Sequence, residues 1–204
     1  MTDTLVRLLT ESRQLGFLGP RPVETHIEHA LRYQACRPEE PDRALDLGAG
    51  GGLPGLVLAA RRWPMTRWCF LDSNLRRSEF LQRAVEELDL ADRVEVVKER
   101  AEVLGHSLRH RNHYDLVVVR SFGPPAVTAE CAAPLLADGG QVVVSEPPER
   151  VGGGRWPAAG LAMVGLAVVP AAPDAASFVV LRRVAPCPDR YPRRVGIPAK
   201  RPLF

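Results

Sequence analysis

A glycine-rich segment preceded by a carboxylate is the clearest candidate for chemistry in this chain. In the stretch ALDLGAGGGLPG, Asp46, Gly48, Gly50 and Gly52 occupy alternate positions. Glycine lets the backbone approach a ligand that a Cβ would repel, and a helix that follows adds a partial positive charge at its N-terminus. The segment therefore predicts a nucleotide-type binding site between a strand and a helix.

The spacing of these glycines distinguishes between kinds of nucleotide site. A dinucleotide fingerprint, Gly-x-Gly-x-x-Gly, needs a glycine where this chain has Leu53, which leaves an NAD-dependent oxidoreductase as a distant alternative. A P-loop is excluded because no Gly-x-x-x-x-Gly-Lys-Ser/Thr sequence follows. The Asp-x-Gly-x-Gly-x-Gly form resembles motif I of class I S-adenosylmethionine-dependent methyltransferases, in which the loop lies against the methionine and ribose parts of the cofactor.

A second acid, Asp72, stands at the end of the next apolar run, 20 residues after Gly52. An acid at about this distance accepts hydrogen bonds from the ribose hydroxyls of adenosine-type cofactors. Asp72 also opens the sequence Asp-Ser-Asn before a helical segment, so helix capping is the alternative role. Because the glycine loop lies upstream, we favour ribose binding.

Alternating strand and helix patterns indicate how these residues are positioned. Apolar runs typical of strands alternate with segments of helical spacing, and a helix is expected over 75–90. The run YDLVVVR is apolar enough for a strand buried on both faces. This alternation predicts an α/β fold, a Rossmann-like, mostly parallel sheet flanked by helices as in class I methyltransferases. Two later runs, LAMVGLAVVP and SFVVLRRV, predict an antiparallel hairpin that closes the sheet.

Length and composition favour a single domain. The 204 residues are 46% hydrophobic and 25% charged, which is ordinary for one globular domain. We expect a helical N-terminal extension over 1–40, a Rossmann-like core over 43–184 and a basic C-terminal tail over 185–204. The chain has no apolar run near the ~20 residues of a membrane span, charges interrupt its N-terminal apolar positions, and its four cysteines form no metal-binding motif. A cytoplasmic, metal-free monomer is expected.

Positive charge is concentrated at the C-terminal end. From residue 182 onward there are seven basic residues and one acid, a charge of +6, whereas the whole chain carries +3. Such a distribution is typical of a surface that binds a polyanion. The ending DRYPRRVGIPAKRPLF also has apolar residues that would anchor it to the domain, and a solvated tail without a partner is the alternative. We expect RNA contacts from five of its residues, Arg190, Arg193, Arg194, Lys200 and Arg201.

Two separate parts of the chain resemble one family. The segments LDLGAGGGLPGLVLA, FLDSNLRRSEFLQRAVEELDL and VVVRSF are similar to the bacterial small-subunit rRNA guanine-N7 methyltransferases, the RsmG/GidB family. The Leu-Pro-Gly extension at 53–55 is more specific than the glycines. The ending YPRRVGIPAKRPLF resembles the Tyr-Pro-Arg-Lys/Arg-x-Gly-x-Pro-x-Lys-x-Pro-Leu ending that is common in that family. The resemblance covers 40–148 and 177–204.

The resemblance implies S-adenosyl-L-methionine as the cofactor and assigns residues to it by position. Gly48 and Leu53 would contact the cofactor from the glycine loop, and Asp72 would bind its ribose. Asp46, Gly50 and Gly52 of the same loop are also assigned to cofactor binding. Ala101 and Glu102, after the third strand, would lie near the adenine amine. For Glu102, a surface position on a helix is the alternative.

Arg120 ends the fourth strand, at the edge where ligands bind in open α/β sheets. An arginine there is costly unless it faces an anion or a solvent cleft, so we expect it at the cleft shared by cofactor and target. The implied reaction is methyl transfer to N7 of a guanine in the 16S rRNA of the small ribosomal subunit. Guanine N7 carries an exposed lone pair, so no general base is needed and no catalytic residue is expected, apart from groups such as Arg120 that position the base.

The chain departs from the family after its fifth strand. Ser145 and Glu146 stand where the family usually has Lys-Gly, which exchanges a cation for an acid near the expected cleft. This difference keeps open a methyltransferase of the same fold that acts on a small molecule or a protein. A non-catalytic RNA-binding relative is a further alternative. The tract that follows, PPERVGGGRWPAAG, is interpreted either as a mobile lid over 149–160 or as a simple loop.

Overall fold

Seven strands form one sheet in the computed structural model, which describes residues 2–146, 154–171 and 175–204. The order across the sheet is β3-β2-β1-β4-β5-β7-β6. The strands are β1 (Arg43–Leu47), β2 (Arg67–Leu71), β3 (Val94–Val97), β4 (Tyr114–Arg120), β5 (Leu136–Ser145), β6 (Leu166–Val169) and β7 (Phe178–Arg183).

Strand β1 lies in the middle of the parallel part of the sheet. It pairs with β2 on one side and with β4 on the other, and both pairings are parallel. Leu47 is the register partner of both Leu71 and Val119 near the carboxyl ends of these strands. The segments that follow β1, β2 and β4 therefore leave the sheet at one edge, which brings together the glycine loop, Asp72 and Arg120. The predicted α/β class with its mostly parallel sheet is confirmed.

Helices cover both faces of the sheet. One face buries residues such as Leu8, Leu56 and Phe80, and the other buries residues such as Leu104 and Leu161. Burial on both sides explains why β1 and β4 are apolar along most of their length. The helices of the described residues are α1 (Thr2–Gln14), α2 (Val23–Leu31), α3 (Tyr33–Cys36), α4 (Gly55–Arg61), α5 (Leu75–Glu87), α6 (Ala101–Leu104), α7 (Pro125–Ala132), α8 (Ala158–Ala162) and α9 (Ile197–Lys200).

The far end of the sheet is antiparallel, as expected, since β7 pairs antiparallel with both β5 and β6. Two boundaries differ from the sequence prediction. The segment PAVTAECAAPLLADGG predicts a helix that is stopped by Gly139 and Gly140, but α7 ends at Ala132 and β5 begins at Leu136 after one 3₁₀ turn. Pro134 has no amide hydrogen to continue the helix. The run expected as a strand from 161 begins inside α8, and only its second half forms β6.

The C-terminal tail is folded back onto the domain. Arg111, whose side chain is only 12% exposed, donates hydrogen bonds to the carbonyls of Cys187 at 3.0 Å and Tyr191 at 2.8 Å. At the end of the chain, Phe204 packs so closely on Gly160 that a Cβ there would lie 2.1 Å from the ring. These contacts hold both ends of the tail in place.

Candidate functional site

The glycine loop turns sharply between β1 and α4. Gly48, Gly50 and Gly52 have φ angles of 76°, 54° and 97°, which residues with a Cβ rarely adopt. The Gly48 amide donates to the Leu71 carbonyl at 2.9 Å, which ties the loop to the end of β2. A Cβ on Gly48 would lie 2.8 Å from the ring of Phe122, so this position needs glycine for close packing as well.

Two residues predicted to contact the cofactor lie behind the loop. Asp46 is fully buried, and its Oδ2 accepts the amide of Gly55 at 2.7 Å at the start of α4. Burial raises the pKa of Asp46 to about 7, although the Gly55 hydrogen bond opposes the shift. Gly52 packs on Leu56, whose Cδ1 would be 2.3 Å from an added Cβ. Asp46 and Gly52 therefore hold the loop to α4, and their assignment to the cofactor stays a prediction.

A first cleft of about 330 Å³ opens beside the loop. Residues from the glycine loop, β2, α6 and the C-terminal tail line it, among them Gly48, Asp72, Ala101, Glu102 and Ala199. The Asp72 carboxylate accepts the amides of Gly50 at 2.9 Å and Asn74 at 2.8 Å. Asn74 is the N-cap of α5, so Asp72 is not the cap that the alternative interpretation proposed.

Glu102 is buried in the wall of the first cleft rather than exposed on a helix surface. Arg100 donates to both of its carboxylate oxygens, at 3.2 and 2.9 Å, and the amide of Gly196 donates to Oε1 at 3.0 Å. Burial alone would raise the pKa of Glu102, but these hydrogen bonds outweigh it and hold the pKa below its usual value. Glu102 is therefore a carboxylate at neutral pH.

A second cleft of about 220 Å³ adjoins the first and shares Gly48, Arg77 and Ser121 with it. Leu53, Gly50 and Arg120 line this second cleft. The structure thus brings Arg120 to the glycine loop but separates it from Asp72 and Glu102, which line the first cleft.

Arg120 is held by a histidine of α2. Its Nη2 bonds to His26 Nδ1 at 2.8 Å, while His26 Nε2 lies 3.2 Å from the Gly19 carbonyl. Burial lowers the pKa of His26, so the neutral ring donates from Nε2 and accepts at Nδ1. Arg120 Nη1 is buried without a hydrogen-bond partner among the described residues. A donor remains there for a ligand.

The N-terminal extension supplies parts of the site that sequence reasoning missed. Ser12 is fully buried and donates from Oγ to the Gly51 carbonyl at 2.9 Å. Leu18 and Gly19, between α1 and α2, line the second cleft. No motif marks these residues, because their roles arise only when the extension packs on the glycine loop.

The predicted RNA-binding residues of the tail fall into two groups. Arg193 donates from Nε and Nη2 to the fully buried Glu130, at 2.8 and 2.6 Å, and its backbone amide also bonds to Glu130 at 2.8 Å. Arg193 therefore anchors the tail to α7, and its assignment as an RNA contact stays a prediction. The other four residues are exposed and lie in the segment 190–201: Arg190, Arg194, Lys200 and Arg201.

The chain departs from the family at Ser145 and Glu146, and these two residues line neither cleft. His29 Nε2 lies 2.8 Å from Ser145 Oγ. Glu146 is buried, accepts the indole N–H of Trp156 at 3.1 Å and forms an ion pair with Arg155. These partners come from the tract interpreted as a lid or loop, whose residues 147–153 lie outside the described part of the chain.

Within the described ranges, no helix is long and apolar enough to cross a membrane. The same ranges contain no group of three or more histidine, cysteine, aspartate or glutamate side chains that could hold a metal ion.

Comparison with known proteins gives consistent matches. The family described as GidB, rRNA small subunit methyltransferase G, matches residues 18–146. Proteins named ribosomal RNA small subunit methyltransferase G are similar over most of the chain. The one from Rubrobacter xylanophilus is 36% identical, over 96% of this chain and 80% of that protein. The one from Roseiflexus castenholzii is 36% identical, over 89% of this chain and 80% of that protein. The one from Deinococcus radiodurans is 40% identical, over 79% of this chain and 66% of that protein.

Solved structures with low sequence identity share the fold. A cofactor-bound protein from MTB, Rv0187, superposes with a TM-score of 0.62 at 20% identity, over 90% of each chain. An S-adenosylmethionine-dependent O-methyltransferase from Thermotoga maritima gives a TM-score of 0.58 at 13% identity, over 87% of this chain and 71% of the other.

Proposed function

The chain belongs to the rRNA small subunit methyltransferase G family, and we propose that it transfers a methyl group from S-adenosylmethionine to N7 of a guanine in the 16S rRNA of the small ribosomal subunit. The observation that carries this proposal is the convergence of the glycine loop, Asp72 and Glu102 on one cleft beside an exposed basic tail.

The first cleft fits the adenosine part of the cofactor. Asp72 offers carboxylate oxygens to hydroxyl donors, and Glu102 offers them to an amine. Leu71, Phe122 and Val127 add apolar surface suited to a flat base. The volume of about 330 Å³ lies at the lower end of the range of small-molecule sites.

The second cleft suits the carboxylate at the methionine end. Arg120 and Arg77 both line it, and Arg120 has a buried donor, Nη1, without a partner in the described residues. A guanidinium group in this position favours an anion. In this arrangement the glycine loop, which borders both clefts, would support the centre of the cofactor.

Catalysis would be a matter of positioning. When bound, S-adenosylmethionine supplies an electrophilic methyl group, and guanine N7 already has the lone pair that accepts it. The residues of the two clefts would orient the cofactor, and the loop that follows β4, with Ser121 and Phe122, borders the space where the base must enter. Holding the reacting atoms in line at near-contact distance is worth several kcal/mol.

The exposed cations of the tail would hold the RNA backbone. Arg194, Lys200 and Arg201 lie close in sequence to Ala199, which lines the first cleft. Guanine N7 faces the deep, narrow major groove of A-form RNA, so the target base would lie in a loop or be splayed out. We propose that the protein acts in the cytoplasm, where rRNA is its partner, as a monomer and without a metal ion.

Mapping of rRNA modifications in cells that lack the gene tests the proposal. We expect the loss of one 7-methylguanosine from 16S rRNA and its return when the gene is restored. An unchanged modification map would contradict the proposal. Methyl incorporation into metabolites or proteins instead of undermethylated small subunits would favour a different substrate. Calorimetry without heat of binding for S-adenosylmethionine would favour a non-catalytic RNA-binding protein.

A further inference from the structure

The C-terminal tail forms part of the wall of the first cleft. Ala199 of α9 lines this cleft together with Gly48 and Asp72. Glu102, which lines the same cleft, accepts the backbone amide of Gly196 in the tail at 3.0 Å. The Glu102 carboxylate therefore links the tail directly to the wall of the cleft.

This contact fixes the turn at Gly196, which precedes α9. Gly196 has a φ of 79°, and its backbone amide donates to the side chain of Glu102. Glu102 is itself oriented by Arg100, which donates to both carboxylate oxygens. Hydrogen bonds to an ionised acceptor are stronger than those between neutral groups, so this bond gives the turn a defined position.

The exposed cations of the tail flank the same turn. Arg194 lies two residues before Gly196, and Lys200 and Arg201 directly follow Ala199. All three are exposed, whereas Arg193 is bound to Glu130. Any shift of the Gly196 turn would therefore move the cations and the wall of the cleft together.

We propose that Glu102 is a positioning residue that couples the binding of the cofactor to the binding of RNA. In this proposal the turn, which the structure shows bonded to Glu102, can also be released from it, and each ligand favours the bonded position. S-adenosylmethionine stabilises it from inside the cleft, and RNA stabilises it from the cationic side. By thermodynamic linkage each ligand raises the affinity for the other by the same factor. This inference rests on the proposed function.

The coupling factor is measured with the full chain, S-adenosylhomocysteine as an unreactive probe and transcribed 16S rRNA. The Kd of the probe is determined by calorimetry with and without saturating RNA, and the Kd of the RNA by filter binding with and without saturating probe. We expect a ratio of about fivefold or more in both directions. In Glu102→Ala the ratio is expected to fall close to one, while both ligands still bind.

A second variant and a control keep the test decisive. Glu102→Gln retains an acceptor for the Gly196 amide but loses the charge, so its ratio is expected to fall between those of the wild type and Glu102→Ala. Glu95→Gln removes an acid of β3 that pairs with the exposed Arg109 and lines neither of the two clefts, and it is expected to keep the full ratio.

A wild-type ratio of one would overturn the coupling, and an unchanged ratio in both Glu102 variants would overturn the role of Glu102. If Glu102→Ala does not fold, Glu102→Gln decides the question. Failure of the wild-type protein to bind either ligand alone would instead count against the proposed function.

Discussion

At the scale of single residues, Asp72 is the side chain on which cofactor binding should depend most. Its carboxylate lies in the first cleft and is oriented by the amides of Gly50 and Asn74. Asp72→Asn replaces one acceptor oxygen with a donor, so the ribose hydroxyl proposed to bind there would lose a charged acceptor worth about 1.5–3 kcal/mol. We expect the Kd for S-adenosylmethionine, measured by calorimetry, to rise about 10- to 100-fold.

Glu99 provides the matched control for Asp72, because it lines the same cleft and carries the same charge. Glu99→Gln is expected to change the Kd by less than about threefold, as is usual for a surface substitution. Equal losses in the two variants would mean that the overall charge of the cleft matters and that the bond to ribose does not.

The histidines of α2 make the stability of the fold depend on pH. Burial, together with the charges of Arg120 and Arg32, lowers the pKa of His29 to about 4, and burial also lowers that of His26. In the unfolded chain these histidines bind protons below about pH 6.5, whereas in the folded chain they bind them only at a lower pH. Their contribution to the free energy of unfolding is therefore fully present at neutral pH and is lost as the pH falls towards 4.

We expect the share of His29 in this loss to be about 1–2 kcal/mol between pH 7 and pH 5, after allowance for its partial exposure. The measurement is urea unfolding of the wild type and of His29→Gln at both pH values. The variant should lose less stability on acidification. Parallel behaviour of the two proteins would contradict this account.

At the scale of elements, the tail depends on the pair between Arg193 and Glu130. Glu130 is fully buried in α7, and Arg193→Ala would leave its charge without this partner. Removing one member of a buried ion pair typically costs about 3–5 kcal/mol. Because Arg193 is 27% exposed, we expect the lower end of this range for the free energy of unfolding in urea.

Arg194 offers a control one residue away. It is exposed, so Arg194→Ala is expected to change the free energy of unfolding by less than about 0.5 kcal/mol. Under the proposed function, Arg194→Ala would weaken RNA binding instead. A similar loss of stability in both variants would show that Arg193 has no special role as an anchor.

The sequence predicted elements well where a repeating pattern controlled them and poorly where tertiary contacts did. The parallel strands, α5 and the closing hairpin follow from apolar periodicity, and the motif spacing indicated that Gly48 and Asp72 lie near each other, as they do in the first cleft. The ion pair that anchors Arg193 could not be predicted from the sequence, because its partner, Glu130, is 63 residues away. The contact between Ser12 and the glycine loop spans 39 residues and has no local signal either.

At the scale of the whole molecule, the extension and the tail complete the site that the sheet begins. Leu18 and Gly19 border the second cleft, and Ala199 borders the first. We therefore propose that the chain works as one methyltransferase domain, with 1–40 and 185–204 as integral parts of it. The resemblance to the RsmG/GidB family, first noted in the glycine loop and the ending, is confirmed by the family match over 18–146 and by a relative similar over 96% of the chain.

The distribution of charge over the molecule predicts how RNA binding responds to salt. Replacing the four exposed tail cations, Arg190, Arg194, Lys200 and Arg201, with glutamine would remove the phosphate contacts that the proposed function assigns to them. For single-stranded RNA, each lost contact reduces the slope of log K against log salt concentration by about 0.7. We expect the slope for 16S rRNA, measured by filter binding, to become shallower by up to about 3 units.

A control variant with the same net charge distinguishes RNA binding by the tail surface from attraction of RNA by the charge of the whole protein. Four exposed arginines lie at the amino edge of the sheet, opposite the clefts, and are replaced with glutamine in this control: Arg43, Arg67, Arg109 and Arg182. Both variants lose four positive charges, so a field of the whole protein would weaken RNA binding equally in each. Because phosphate contacts act within a Debye length, about 8 Å at physiological salt, we expect only the tail variant to lose slope. Equal slopes in the two variants would contradict the assignment of the tail as the RNA-binding surface.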